Sequence, residues 1–314
     1  MSLITIITPT YNEVKNINEL SLLIKNICES NKINYEQIII DNNSSDGTIE
    51  AIRDLTSKHK NIKAILNLSN FGHIRSPYHA LLQSKSDAAI IMHSDFQSPP
   101  DLIPKYYKQW RAGSKVVLGR RKIVSDRLFL KILKSFYYSF LCKISNNRME
   151  RNITGEGLYD KSVIDVLKTI KDPYPYLRGL IFELGFQIDF VDFDQQQRMA
   201  GISKNNLYTL FDLGLVGVVK HSNALLRFMI LFGFFSGFLS LLISIIFLFY
   251  KIFNWYSFQL GLAPIIVGFF GMASIQIMII GLIGEYVSTV LTYSKNLPLV
   301  LEKERINFNE HNEK

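Results

Sequence analysis

The sequence predicts an α/β protein in two parts: a doubly wound, mostly parallel sheet, then an amphipathic juxtamembrane helix and a two-helix transmembrane hairpin. Two observations carry the first part. Short apolar runs alternate with stretches of helical periodicity, and each apolar run closes on a cluster of polar residues. One observation carries the second part. From Phe228 to Tyr250, and again from Ile252 to Gly284, no side chain is charged. Each run is longer than the about 20 apolar residues that cross a bilayer.

Leu3 to Ile7 reads as a buried first strand, broken by Thr8-Pro9-Thr10-Tyr11-Asn12-Glu13. Leu20, Leu23, Ile24 and Ile27 then give a helix. Gln37 to Ile40 is a second strand, closed by the run Asp41 to Thr48, and Ile49, Ile52 and Leu55 line one face of the next helix. Ile62 to Leu66 is a third strand. Ala80 to Leu82 belongs to the helix before a central strand, Ala88 to Met92, which stops at polar residues and Pro99-Pro100. Val116 to Leu118 is a further short strand, ending in Gly119-Arg120-Arg121. Leu128 to Ile144 has helical spacing with Lys131 and Lys134 on the same run. That pattern suits a core-facing helix with a basic side, or a surface near anionic headgroups. Asn152 to Asp160 reads as a glycine-rich bend, and Asp172 to Gly179 as a semi-rigid turn. Leu207 to Val219 reads as an interfacial helix. The expected division is a cytosolic domain over 1–204, a juxtamembrane helix over 205–227, the hairpin over 228–290 and a cytosolic tail over 291–314.

Of 314 residues, 48% are hydrophobic, and the apolar excess falls after Leu225. Formal net charge is +8, with much of the Lys and Arg between Lys105 and Arg151. Such a balance fits nucleic acid, anionic lipid or a phosphorylated substrate. There is no Arg-rich tail, no basic stretch with interleaved aromatics and no zinc spacing, so nucleic acid is set aside. Cys28 and Cys142 form no metal or redox motif and read as reduced thiols. Leu3 to Ile7 is too short for a signal peptide. Trp255 and Tyr256 sit in the short link between the apolar runs as interfacial aromatics. Lys220, His221 and Arg227 before the hairpin, with Lys295, Lys303 and Arg305 after it, put both ends in the cytosol. The expectation is an integral protein of the inner (cytoplasmic) membrane. Gly233, Gly237, Gly268, Gly271 and Ala273 permit close helix packing, and hence a homo-oligomer.

The chemistry gathers at the predicted strand ends. Asp95 and Gln97, two residues apart beyond the central strand, read either as hard oxygen donors suited to Mg²⁺ or Mn²⁺ or as a polar loop without an ion. Asp41 reads either as an acceptor for a nucleotide base or ribose, or as a turn residue; Tyr11 and Glu13 follow the first strand. Neither a dinucleotide-binding glycine fingerprint nor a phosphate-binding P-loop is present.

Pro9 to Glu13, Asp41 to Thr48, and Asp95-Phe96-Gln97 before Pro99-Pro100 resemble the ordered signatures of family-two inverting glycosyltransferases of the GT-A fold. The closer similarity is to polyisoprenyl-phosphate glycosyltransferases, including bacterial undecaprenyl-phosphate sugar transferases and dolichol-phosphate mannose synthases. The resemblance implies that Pro9, Tyr11, Glu13 and Asp41 hold the nucleotide and that Asp95 and Gln97 hold the divalent cation. It implies a nucleotide-sugar donor, with UDP favoured, and a polyprenyl phosphate acceptor. His93 stands where the family often has Asp, and is read as a nucleotide ligand. Arg120, with Lys134 beside it, is the expected contact to the acceptor phosphate. Arg178 either joins them or pairs with Glu183. Arg198 and Lys204 flank a glycine bend that can close over a diphosphate. Asp95, Arg120 and Arg198 are therefore the expected catalytic residues. Two alternatives stand beside lipid-phosphate transfer: a sugar-hydroxyl acceptor, with Glu156 or Asp160 as base, and an inactive scaffold.

Overall fold

The computed structural model describes residues 2–122, 153–194, 262–295 and 297–308, with ten helical positions between 232 and 253. The expected helix over 128–144 with Lys134, the loop bearing Arg198 and Lys204, and the interfacial helix lie outside those residues, as does most of the first predicted span. The described residues fall into two compact units. One holds 2–122, 153–194 and 297–308; the other holds the helical positions from 232 to 295.

The first unit is one mixed sheet between two helical layers. Its strands are β1 (Leu3–Thr10), β2 (Asn34–Asp41), β3 (Ile62–Asn67), β4 (Ala88–Ile91), β5 (Val116–Arg121), β6 (Ile153–Asp160), β7 (Ile188–Phe193) and β8 (Glu302–Ile306). They lie in the order β7-β5-β6-β4-β1-β2-β3-β8. Pairs β1–β2, β1–β4, β2–β3 and β5–β7 are parallel. Pairs β3–β8, β4–β6 and β5–β6 are antiparallel. The helices are α1 (Ile17–Ser30), α2 (Thr48–Lys58), α3 (Gly72–Gln83), α4 (Leu102–Arg111), α5 (Lys161–Lys168) and α6 (Leu177–Glu183).

Burial explains the layering. β1 is buried from Ile4 to Thr10, as a strand covered on both faces must be. Ile4 and Ile6 face α1 and α4, packing with Leu20, Ile24, Cys28, Ile103 and Tyr106. Ile7 faces the other way, toward Tyr78 and Leu81 of α3, Val163 of α5 and Ile181 of α6. Ile52 and Leu55 of α2 pack on Ile39 and Ala64.

Two expectations are corrected. The sheet is mostly parallel as expected but mixed: β6 and β8 run against the other strands, and β6 is the stretch read as a bend. Gly157 there has φ +154°, and a Cβ at that position would come within 2.2 Å of the Val117 carbonyl oxygen. Glycine lets β6 lie against β5; it does not break the strand. The segment read as a tail is no mere tail, since β8 pairs with the outer edge of β3. Glu302 meets His79 at 2.5 Å and Glu304 meets Arg53 at 2.6 Å. The Asn307 amide donates to the Thr56 and Ile62 carbonyls at 2.7 and 2.8 Å.

In the second unit, α7 (Leu262–Ser294) runs 33 residues, a length of about 50 Å. Ile275–Ser294 is long and apolar enough to cross a membrane, and none of it is buried. The helix continues past Gly284, where the charge-free run ends. A second crossing helix is not seen among the described residues, so of the expected hairpin the structure describes one limb.

Candidate active site

The C-terminal ends of β1, β2 and β4 share one edge of the sheet. Since β6 is antiparallel to both β4 and β5, the end of β5 and the start of β6 reach that edge too. β2 and β4 flank β1 on opposite sides, and a reversal of winding of this kind opens a crevice where ligands bind.

Pro9 sits inside a central strand without disrupting it. The carbonyls of Ile7 and Pro9 both face β4, accepting from the Met92 amide at 2.9 Å and the Ser94 hydroxyl at 3.1 Å. The β1–β4 ladder ends at Ile7 and Ile91, so the amide that proline lacks falls where no strand would accept it.

Beyond β1 and β2 the two loops are laced together. Asn12 has φ +57°, and its N–H donates to the Ser44 hydroxyl at 2.8 Å. Its side-chain oxygen accepts from the Ser45 amide at 2.9 Å. The Glu13 amide donates to the Thr48 hydroxyl at 2.9 Å, and Val14 to Asp46 at 3.2 Å. Glu13 accepts from the Asn16 side chain at 2.6 Å, which leaves Tyr11 half-buried on the rim.

Asp41 closes β2 and is fully buried. Its two oxygens accept from the Ser44 amide at 2.8 Å and the Ser44 hydroxyl at 2.5 Å. Burial raises its pKa above the usual carboxylate value, while the bonds from Ser44 pull it down. Each oxygen keeps a further lone pair. Asp41 thus holds the loop and retains capacity to accept from a ligand.

Past β4, burial alternates. Met92, Ser94, Phe96 and Ser98 are buried, whereas His93, Asp95 and Gln97 are half-buried. The three polar side chains are thus the ones this loop leaves accessible to solvent. Phe96 has φ +56°, a conformation that costs an aromatic residue about 1–3 kcal/mol. Its ring is held in the core with Met92, Leu102 and Tyr106. The Gln97 amide donates to Asp95 Oδ1 at 3.2 Å. Among the described residues no three His, Cys, Asp or Glu side chains gather as a ready metal cage. One carboxylate and one amide carbonyl, both accessible and two residues apart in one turn, nevertheless fit Mg²⁺ or Mn²⁺, which take their remaining oxygens from water and substrate phosphates.

Opposite this rim stands Glu156 of β6, only 4% exposed, with Oε1 3.7 Å from His93 Nε2. The cationic side chains lie further along. Arg120 is gripped by Asp192 of β7, at 2.6 Å from Nε and 3.1 Å from Nη2, and lies over the Phe190 ring. That pair holds the Asp192 carboxyl below its usual range. Arg178, at the start of α6, donates to the Ile153 carbonyl at 3.1 Å and stacks on Tyr176. Although part of the His73 ring faces solvent, its pKa is lowered by desolvation first, then by the charges of His93 and Arg178. His73, His93 and Arg178 therefore share one electrostatic neighbourhood.

The structure thus brings Pro9, Tyr11, Glu13, Asp41, His93, Asp95, Gln97, Arg120 and Arg178 to one sheet edge. Lys134, Arg198 and Lys204 lie outside the described residues. Sequence reading missed the ties of Asn12, Ser44, Asp46 and Thr48, for which the dense Asn/Ser/Asp run was the available signal. It also missed the meeting of Glu156 with His93, which no local pattern announces. Asp160 belongs elsewhere. It ends the antiparallel β6 at the opposite edge, where it accepts from Trp110 at 2.8 Å, Lys115 at 3.1 Å and the Ser162 amide at 3.0 Å.

Comparison with known proteins identifies the family. The family model for glycosyl transferase family 2 matches residues 5–164, the stretch from β1 into α5. An uncharacterized glycosyltransferase of Bacillus subtilis, YkcC, is 28% identical over 95% of this chain and 92% of its own length. The bactoprenol glucosyl transferase of Shigella phage SfX is 26% identical over 96% of this chain and 99% of its own. Among solved structures, the glucosyl-3-phosphoglycerate synthase of Mycobacterium tuberculosis with Mn²⁺, UDP-glucose and phosphoglyceric acid is 15% identical. It covers 69% of this chain and 78% of its own, with a TM-score of 0.49. The matched model spans half of the chain and takes in β1, β2, β4 and the rim beyond them, so this is an enzyme that transfers glycosyl groups: the chain belongs to glycosyltransferase family 2.

Proposed function

We propose that the enzyme transfers a sugar from a nucleotide-diphosphate sugar to the phosphate of a membrane polyprenol, with inversion and with the help of a divalent cation. The observation that carries this reading is the joining, in one chain, of the His93, Asp95 and Gln97 rim to a helix able to cross a membrane. The bactoprenol glucosyl transferase likeness runs nearly end to end in both chains, and so favours the same acceptor class. Connectivity favours the two-span hairpin. β7 and β8 belong to one sheet, so a chain that crosses the membrane between them must cross back.

Asp41, Tyr11 and Glu13 bind the nucleotide, with UDP favoured, and His93 contacts it from the β4 side. Asp95 and Gln97 would hold Mg²⁺ or Mn²⁺, whose chemistry is to neutralise charge on the departing diphosphate. A phosphate monoester has its second pKa near 6, so the acceptor oxygen attacks without a general base. One displacement inverts the anomeric centre. Arg178 and Arg120 neutralise the incoming phosphate, Arg120 after exchanging Asp192 for it; Arg198, Lys134 and Lys204 join them on sequence grounds. A sugar-hydroxyl acceptor would need a positioned carboxylate base. Asp160 is spent at the far edge, and Glu156 is buried against His93.

Membranes containing the full chain, undecaprenyl phosphate and radiolabelled nucleotide sugars test the reading, with Mg²⁺, Mn²⁺ or chelator. A mild-acid-labile lipid product is expected, abolished by chelator and reduced about a thousand-fold in Asp95→Ala. Label that appears only in a water-soluble glycan would sink it.

A further inference from the structure

We propose that Glu156 is a positioning residue of the donor site: its carboxylate holds the His93 imidazole at the end of β4 so that the ring contacts an oxygen of the nucleotide sugar. The inference rests on the donor-site reading above.

Four observations carry it. The ladder pairs Ile91 with Gly157, which puts Glu156 level with Met92, next to His93. The strand that carries Glu156 lies tight against β5, where the carbonyl of Val117 leaves no room for even a Cβ at Gly157. Among the described residues His93 is the one basic side chain within ion-pair distance of Glu156, at 3.7 Å. Finally, Glu156 Oε2 is buried with no hydrogen-bond partner, as is the hydroxyl of Tyr106 on the same face.

A carboxylate taken out of water is costly unless paired. A fold that keeps one beside a single half-exposed imidazole is using it on that imidazole, since among the described residues nothing else in reach is basic. Nε2 faces Glu156, so Nδ1 is the ring atom left for a ligand. The separation exceeds hydrogen-bond length, and contacts of this sort commonly tighten when substrate arrives. Residues 93 and 156 are therefore a matched pair. A carboxylate at 93 would face a like charge at close range, which disfavours ionisation of both.

The test measures binding of UDP-glucose and GDP-mannose, with Mn²⁺, to the detergent-solubilised full chain, alongside thermal stability. No acceptor is needed. Glu156→Gln and His93→Gln are each expected to weaken the bound nucleotide sugar about 5–20-fold, and the double variant no further than His93→Gln alone, as for groups acting in series. Glu156→Gln should melt within about 2 °C of the parent; a purely structural glutamate would lose stability in step with binding. His93→Asp should bind more weakly than His93→Gln, and adding Glu156→Gln to it should recover several-fold. Unchanged binding in Glu156→Gln, or effects that multiply in the double variant, overturn the inference. If Glu156→Gln does not fold, equal binding by His93→Asp and His93→Gln overturns it as well. Failure of the parent chain to bind either nucleotide sugar also does so. Binding that follows the expected pattern without any lipid product would leave this inference standing and remove the lipid acceptor.

Discussion

The two halves of the sheet are built differently. From β1 outward through β2 and β3 to β8, loop polar groups are tied to one another: Asn12 to Ser44 and Ser45, Asp41 to Ser44, Asp46 to Thr48. From β4 through β6 to β5, Ser98 Oγ, Glu156 Oε2, Tyr106 OH and Arg121 Nε are buried without partners among the described residues; the first half holds such atoms too, at Gln37 Oε1 and Asn67 Oδ1, but on strands β2 and β3 rather than in its tied loops. Parallel strands with regular helices make most of the first half, which closes on the antiparallel edge strand β8. The second carries its antiparallel strand, β6, in the interior of the sheet, between β4 and β5. On the proposed function, the contrast separates two tasks. A nucleotide pocket gains from being preorganised, since ordering loops on binding costs free energy. A site for groups that arrive with the substrate must keep polar valence open.

Breaking the second half should cost most. Gly157→Ala drives a methyl into the Val117 carbonyl at a positive φ. We expect a loss of at least about 3 kcal/mol in chemical denaturation, or failure to accumulate. In the first half, Asp41→Ala frees the Ser44 amide and hydroxyl together. A stability loss of about 2 kcal/mol is expected, with weaker UDP binding in a titration calorimeter.

The fence of that half, β8, gives a pH test. Burial opposes ionisation of Glu302, but His79 and Arg305 outweigh it and bring the carboxyl down from 4.5 to about 2. Because the folded value lies below the unfolded one, this contribution is present above pH 4.5 and is lost as pH falls toward 2. Melting temperature followed across that window should drop more steeply for the parent than for Glu302→Gln. The smallest effect is expected at Ser98→Ala. Its hydroxyl is buried without a partner, so stability should change by less than about 0.5 kcal/mol. A large loss there would erase the contrast between the halves.

Much of this was legible beforehand. β1 to β5 are apolar runs, and Asp41, Asp95 and Gln97 follow them at sites where α/β sheets bind ligands. The three missed strands have separate physical reasons. Glycines at 155 and 157 disguised β6 as a turn. In β7, Asp189 and Asp192 interrupt the apolar pattern, one accepting from Ser114 and the other paired with Arg120. β8, Glu302-Lys303-Glu304-Arg305-Ile306, has no apolar alternation at all; it is held by backbone pairing and ion pairs, and such charge is common on edge strands. The Glu156–His93 contact depends on strand register between segments far apart in the chain, which no local window reveals.

The last strand also sets a schedule. β8 leaves the ribosome only after the whole of α7 has been made. Until then β3 carries an open row of amides and carbonyls, the kind of edge that recruits foreign strands. Completion of the sheet is thus tied to completion of the long apolar helix. A chain that stalls while that helix is being made carries its own aggregation signal, and only one that goes on to add β8 conceals it.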